Sequence, residues 1–546
     1  MPASILTVSN VFPPQVLGGA EMVAQRQALA LRQRGFGVSV FAGLLDTAAG
    51  PLGRTYVGRE DGLRVFRFVL EPTGPERGFL SPEASAQFRE VLRAVQPGVV
   101  HFHNLSWLGA GLVPLARSHG ARTYVTLHDT WGFCLRQTRL RDGLQLCENF
   151  TECDVCLASV RGGWGERVPV RLRRDYVRWC LEQADGLIFP SRSLQASYVE
   201  AGFSPERFVH ASNGIDLDAF PARQRDPQGE VRFLAASSLE EHKGVRVLWD
   251  ALGLLLDDAS LSGRWSMVLA GDGSLAPELC ARLEAGAIRA PVTWVGGVTN
   301  HMMRSLHGQA DVFVLASVCP ENEPVSLMEA LASGAAQVGT RIGGIPELIE
   351  EGETGCLVPP HDAPALAAAM RRLILSPALV PAFSARNIAR RGSFGQDRSI
   401  DLLAGLFAHP TPELPGLDRK IVLCTGSVGD AGAGSETSRR LRGLDERLRL
   451  LWHDWVDPSV RDRADVLCLF EGVLPFGALG RAVRSHTPIV APRTASLGQL
   501  PALQELLHEY GDLGEAFDLV EQLAYGKEDC VKVGRGYVGA GSRAVR

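Results

Sequence analysis

Glu321-Asn322-Glu323-Pro324-Val325-Ser326-Leu327-Met328-Glu329 continues directly into Ala330-Leu331-Ala332-Ser333-Gly334. Two carboxylates, Glu321 and Glu329, stand eight positions apart across the expected start of a helix. Pro324 suits a first helical turn, where a missing N–H costs nothing. Asn322 is expected to cap the helix, and Gly334 to end it. The amides of Val325, Ser326 and Leu327 would then be free at a helix start, which attracts phosphate. Carboxylates repel phosphate but accept hydrogen bonds from sugar hydroxyls. The segment therefore points to a ligand with both parts, a sugar joined to a diphosphate.

The flanks of this segment set the fold class. Val312–Leu315 reads as a buried strand before the helix, and Gln337–Gly339 as one after it. Phe233–Ala236, Met267–Ala270 and Val292–Val295 precede them with helical spacing between. The same rhythm opens the chain, with strands expected at Ile5–Ser9, Val38–Phe41, Val99–Phe102, Thr123–Leu127 and Gly186–Pro190, and a helix over Glu21–Arg34 ended by Gly35. Strands alternating with helices indicate parallel α/β sheets. The chain is thus expected to hold two doubly wound domains, 1–205 and 206–385, with the ligand in the cleft between them. A closing helical segment (386–410) and a linker (411–418, within His409-Pro-Thr-Pro-Glu-Leu-Pro) should follow.

A third α/β unit is expected over 419–533, and a Gly-rich tail without fixed structure over 534–546. Ala464-Asp465-Val466 echoes Ala310-Asp311-Val312, and the stretch from Ala482 echoes that from Ala330. On that alignment Arg481 stands where Glu329 does, and Lys243-Gly244 has no counterpart. The unit reads either as a degenerate copy of the second domain or as an ordinary α/β unit. Without the carboxylates its expected role is structural or partner-binding.

Composition fits a globular protein of 546 residues, 45% hydrophobic and 21% charged, long enough for about three domains of roughly 150 residues. A net charge of −5 argues against a nucleic-acid binder. No apolar run approaches the ~20 residues of a membrane span, and Met1–Val8 has no basic region of the kind that opens a signal peptide. The expected place is the cytoplasm, with room for peripheral contact at a membrane. Of 11 cysteines, Cys134, Cys147, Cys153 and Cys156 lie close together. In a reducing compartment they are candidates for a structural zinc site, with ordinary loop thiols as the alternative.

Other residues can be placed by position. Lys243, beyond the strand at 233–236, could neutralise a diphosphate as its charge develops; the plainer reading is a solvated lysine before a helix. Gly271 and Gly273 form a tight turn after 267–270. Neither region matches the G-x-G-x-x-G dinucleotide fingerprint. Gly18 and Gly19 open the first helix and would allow close backbone approach to a ligand. His128-Asp129 follows the strand at 123–127, where a histidine beside an acid could orient or deprotonate a hydroxyl, or serve structure alone. His101 and His103 read as packing or supporting groups.

These elements together resemble the retaining glycosyltransferases of family 4. The resemblance runs from residue 4 to about 408. It is carried by Phe12-Pro-Pro, Gly18-Gly19-Ala-Glu21, His101-Phe-His103, Thr126-Leu-His128-Asp129, Pro190-Ser191, Asn213-Gly214-Ile215-Asp216, Lys243-Gly244, Gly271-Asp-Gly273, Ala310-Asp311, Glu321 with Glu329, Gly343-Gly344-Ile-Pro-Glu347 and Gly352-x-Thr354-Gly355. The cysteine cluster resembles that of one subset of these enzymes. The resemblance implies the GT-B fold, two Rossmann-like domains facing across a cleft. It implies transfer of a sugar from a nucleotide-diphosphate sugar, UDP- or GDP-linked, to a glycan or lipid-linked acceptor hydroxyl with retained anomeric configuration. No cofactor is implied for catalysis.

By the same resemblance Glu321 would bind hydroxyls of the donor sugar and Glu329 the ribose. Lys243 and the amides of Val325 and Ser326 would hold the diphosphate, with Gly19 approaching from the first domain. His128 would sit near the reacting carbon. There is one departure: the family's arginine before Lys-Gly is replaced by serine, at Ser237 or Ser238, with His242 or Arg246 as candidate substitutes. Glu323 stands where the family often has a large apolar residue. A non-catalytic sugar-nucleotide-binding or scaffold protein is the alternative, and an epimerase on the same fold a further one.

Overall fold

The computed structural model describes residues 4–408, apart from 47, 49 and 162–166, and beyond them 420–425, 448–452, 464–469, 489–492, 507–510, 516, 519–520 and 523. The first domain is built on strands β1 (Ser4–Val11), β2 (Gly37–Leu44), β3 (Thr55–Glu60), β4 (Leu63–Val69), β5 (Val99–Phe102) and β6 (Arg122–Thr126). A two-stranded ribbon, β7 (Ser159–Arg161) and β8 (Arg167–Pro169), stands apart, and β9 (Gly186–Phe189) and β10 (Phe208–His210) complete the main sheet. Its order is β10-β9-β6-β5-β1-β2-β4-β3. The central strands are buried throughout, as parallel strands covered on both faces must be.

Pairing in this sheet is parallel except between β3 and β4. Those two join through Asp61-Gly62, both with positive φ (48° and 77°), the two-residue turn that suits the twist of a hairpin. The strand expectations above omit this hairpin, although Asp-Gly between alternating residues is its signal. β10 still pairs with β9, so the first sheet extends beyond the expected boundary at 205.

The second domain is all parallel: β11 (Val231–Ala236), β12 (Trp265–Ala270), β13 (Val292–Trp294), β14 (Val312–Leu315), β15 (Ala336–Thr340) and β16 (Gly355–Val358), in the order β13-β12-β11-β14-β15-β16. The order reverses between β11 and β14, and ligands bind outside the carboxyl ends of strands at such a switch point. Lys243 follows one of these strands and Glu321 the other.

The closing segment returns to the first domain. Its last helix, Gln396–Ala408, sets Asp397 and Asp401 against Arg34, at 3.0 and 2.8 Å. Phe407 packs on Tyr124 and His101. The chain therefore crosses between the domains twice, and the two are joined like a hinge with two straps.

The third unit has β17 (Lys420–Thr425), β18 (Leu448–Trp452), β19 (Val466–Leu469), β20 (Ile489–Pro492) and β21 (Leu507–Tyr510) in the parallel order β18-β17-β19-β20-β21. Its apolar residues share one core with the first domain. The helix Val170–Glu182, although it carries Arg171, Arg173, Arg174, Arg178, Asp175 and Glu182, is buried along its whole length. Asp175 lies 3.2 Å from the Arg171 Nε and accepts a hydrogen bond of 3.2 Å from the Leu450 amide on β18. Arg449 Nε approaches Glu182 at 3.7 Å. The expected linker at 411–418, the position of Arg481 and the tail at 534–546 lie outside the described residues.

Candidate active site

The helix that follows β14 spans Val325–Ser333. Gly334 ends it in the left-handed conformation (φ 84°), where a residue without a Cβ is favoured. Three expectations at its start are corrected. Pro324 is the capping position rather than part of the first turn, and no side chain caps it. Asn322 instead reaches the first domain: its amide nitrogen donates to the Leu127 and His128 carbonyls at 3.2 and 3.3 Å, and its Oδ1 lies 2.7 Å from the Ser191 hydroxyl. The Leu327 amide is not free, because it donates to the Pro324 carbonyl at 3.1 Å. Helix geometry leaves the Val325 and Ser326 amides at the open end.

These amides face a cleft of about 820 Å³ between the domains. Its wall brings together Gly18, Gly19, His128, Lys243, Glu321, Val325, Ser326 and Glu329, eight of the ten expected active-site residues. Gly19 sits so close to the second domain that a Cβ there would lie 3.0 Å from the Val325 Cγ2. The Gly18 amide donates to the Glu21 carboxylate at 2.9 Å, which fixes the entry of the first helix.

Gly271 and Gly273 are the two exceptions; the structure does not place them on this wall. A Cβ on Gly271 would meet the Ser237 carbonyl at 1.9 Å, and one on Gly273 the Leu239 carbonyl at 2.7 Å. Their small size lets two loops stack, a packing need that sequence alone cannot separate from ligand approach.

Lys243 and Glu321 form an ion pair at 2.7 Å, and the Ser317 hydroxyl donates to the same Glu321 oxygen at 2.6 Å. Burial opposes charge on both groups, but the pairing outweighs it. The Glu321 carboxyl is held below its ordinary value and the Lys243 ammonium above. A charged acceptor and a charged donor thus stand ready in one corner of the cleft. Gly244, with φ 66° and the Ala316 carbonyl 1.9 Å from where a Cβ would be, allows the turn that aims Lys243. Glu329 lies one turn into its helix, 3.3 Å from the buried His307 ring.

Ser237 and Ser238 line the cleft where the family carries arginine. Neither proposed substitute does. Arg246 is occupied by Glu278 and Glu241, and His242 is absent from the wall. The arginines that do line it are Arg26, from the first helix, and Arg304. One Arg26 nitrogen is buried without a hydrogen-bond partner among the described residues. Burial lowers its basicity while Glu329, Asp216 and Glu323 attract its charge. No local pattern marks Arg26, which lies outside the Gly18–Glu21 motif and about 200 residues or more from the groups it faces.

Glu323, largely buried, also lines the cleft, and there Ser212 and the Asn213 amide both donate to it at 2.6 Å. Burial nevertheless pushes its carboxyl up to about 7. His128 lines the cleft and burial pushes its ring down to about 4; the neighbouring Asp129 is pushed up to about 6 for the same reason.

The four-cysteine expectation is not met. Among the described residues no three His, Cys, Asp or Glu side chains are grouped to hold a metal ion. Cys147 donates to the Asn149 carbonyl at 3.3 Å and Cys153 to the Phe150 carbonyl at 3.2 Å. Burial pushes the Cys153 thiol up to about 11.

Two Rossmann-like domains facing across a cleft, with paired glutamates and a lysine at the switch point of the second, define the GT-B architecture. Residues 17–219 match the family model described as Glycosyltransferase Family 4, and residues 230–376 match that of Glycosyl transferases group 1. With a match for each domain in chain order, the chain belongs to the family 4 (group 1) glycosyltransferases.

The amylovoran biosynthesis glycosyltransferase AmsK of Erwinia amylovora is 32% identical over 208 residues, 37% of this chain and 50% of that relative. Over that match the chain spans about half the relative's length. The glycogen synthase of Mycobacterium tuberculosis H37Rv is 26% identical over 396 residues, 68% of this chain and 86% of that protein. Among solved structures, HepE of Anabaena in complex with UDP-glucose superposes with a TM-score of 0.54 at 18% identity, covering 74% of this chain and 99% of that one. At that identity the likeness is one of fold.

No single helix among the described residues is long and apolar enough to cross a membrane.

Proposed function

We propose that this protein transfers a sugar from a nucleotide-diphosphate sugar to an acceptor hydroxyl with retention of anomeric configuration, in the synthesis of a polysaccharide, glycolipid or cell-surface glycan. The observation that carries this reading is the Lys243–Glu321 pair beside the open end of the 325–333 helix, facing Gly19 across the cleft. Glu321 accepts hydrogen bonds from sugar hydroxyls, and Glu329 from the ribose. As the bond to the anomeric carbon breaks, negative charge grows on the diphosphate and meets Lys243 and the Val325 and Ser326 amides. Such fixed donors act without reorganising, which makes them effective in a water-poor cleft. Arg26 adds positive charge from the opposite wall. The names of the relatives, one in amylovoran synthesis and one a glycogen synthase, support a glycan product.

The acceptor enters from the first domain, past His128. A lipid-linked acceptor would bring the protein to the inner face of a membrane from the cytoplasm; cell fractionation tests that placement. The third unit offers a surface for a protein partner, which a pull-down with and without residues 419–546 would test.

The deciding experiment has two stages. A panel of UDP- and GDP-sugars is screened for a rise in melting temperature, since a ligand that binds only the folded state stabilises it. The stabilising donor is then incubated with acceptor extract, and both free nucleotide and the anomeric configuration of the product are measured. Binding without nucleotide release under any condition would instead favour the non-catalytic reading, which the serines at 237 and 238 motivate.

A further inference from the structure

His101 and His103 alternate on β5 and its extension, so their rings share a face of the sheet, with centroids 4.3 Å apart. His103 then meets His128 beyond the end of β6. Its Nδ1 lies 2.9 Å from the His128 Nε2, and the rings stack at 5.2 Å and 16°. His128 touches the cleft and His103 does not. The other nitrogen of His103, Nε2, is buried and has no hydrogen-bond partner among the described residues.

Burial keeps both rings neutral at ordinary pH. Each ring then carries one proton, and the bond between them uses one of the two. If His103 donates from Nδ1, its buried Nε2 is a bare lone pair, and the His128 proton must sit on Nδ1. If His128 donates from Nε2, the buried His103 Nε2 becomes an N–H with no acceptor among the described residues. Orphaned buried N–H groups are rarer than under-satisfied acceptors, and leaving a donor unpaired carries the full desolvation cost.

We infer that His103 is a positioning residue that locks His128 in the Nδ1–H form, so that His128 acts as a hydrogen-bond donor to the ligand in the cleft and not as a base towards the acceptor hydroxyl. The reading rests on the cleft being the sugar-transfer site. Its matching ligand group is an oxygen, a sugar hydroxyl or a phosphate oxygen. The choice between orienting and deprotonating, which the sequence left open, is made by a residue the ligand does not touch.

The primary test needs no turnover. In protein labelled with ¹⁵N-histidine, the two-bond correlations of the His128 ring, assigned by their loss in His128→Gln, report which nitrogen is protonated. Protonation at Nδ1 is expected. Protonation at Nε2 overturns the inference whatever the protein's activity, so this result stands apart from any failure to find transfer.

Activity provides the second arm, read as nucleotide release from the donor found by thermal shift. Asparagine at 103 places an amide N–H near the former Nδ1, so His103→Asn should stay close to wild type. His103→Ala should lose about tenfold in kcat, the scale of one hydrogen bond, with the His128 nitrogen signals shifted. At the cleft, His128→Asn keeps a donor near the former Nδ1 and should outperform His128→Asp, which offers an acceptor and a base there. The opposite ranking at 128, or equal rates for the two variants at 103, would overturn the proposal.

Discussion

The donor-domain sheet and the C-terminal sheet are wound alike and do different things. Five strands of the first, β12-β11-β14-β15-β16, correspond in order to β18-β17-β19-β20-β21 of the second. The registers agree as well. Phe233 pairs with Val312 as Val422 does with Val466, Phe313 with Gln337 as Leu467 does with Ile489, and Gln337 with Gly355 as Ile489 does with Leu507. The echo of Ala310-Asp311-Val312 in Ala464-Asp465-Val466 thus falls at the start of equivalent strands. The same order arises in any flavodoxin-type sheet, so it records architecture whether or not the unit was copied. What separates the two is what each presents. The donor sheet turns a lysine and carboxylates towards an open cleft, whereas the C-terminal sheet packs on a charged helix of the first domain. A strand scaffold permits a site; the side chains beyond its strands make one.

The largest effect should come from the cleft. Glu321→Gln removes the charge that pairs with Lys243 and is expected to lower kcat by about 10²–10³-fold, the scale seen when one transition-state group is lost. The far-UV spectrum should stay unchanged; wild-type turnover would remove Glu321 from the mechanism. Next comes the docking face. Asp175→Ala leaves buried arginines without their carboxylate and should cost about 3–5 kcal/mol, measured by urea unfolding. A loss below 1 kcal/mol would mean that the C-terminal unit does not depend on this helix.

Glu323 connects the cleft to the hinge and predicts a pH dependence. Its carboxyl is raised from about 4.5 to about 7 in the folded chain, so between these values the unfolded chain has released a proton that the folded chain still holds. This group therefore lowers stability as pH rises through that window, by up to about 3 kcal/mol. Glu323→Gln should flatten that part of the stability profile, which urea midpoints across pH would show.

Arg26→Ala, which removes a cation from the wall opposite Glu329, is expected to raise the donor KM about tenfold, one ionic hydrogen bond's worth. The smallest effect belongs to Arg246→Ala. Its pairs with Glu241 and Glu278 are half exposed, so stability should change by less than about 1 kcal/mol and the donor KM should not move. A marked rise would show that Arg246 does stand in for the missing arginine.

The strand–helix rhythm, the two main domains and the Glu321–Glu329 segment were legible because each is local: apolar runs, a proline at a helix start, a glycine at its end. The Asp61-Gly62 hairpin carries a local signal as well, set among parallel strands that obscure it. Asn322 misled because capping and bridging use the same amide, and only its contacts with Leu127, His128 and Ser191 distinguish them. Gly271 and Gly273 carry the same ambiguity, since a turn that avoids a carbonyl reads like one that admits a ligand.

By itself, then, the sequence determined the GT-B fold, the family and most of the cleft's chemical groups, since these rest on periodicity and motif order along the chain. The tertiary structure alone decided that Arg26 lines the cleft in place of His242 or Arg246, that the arginine-rich helix at 170–182 is an interior surface, and that His103 stands behind His128. Charge, burial and proton position are set by neighbours distant in the chain, and no local pattern encodes them.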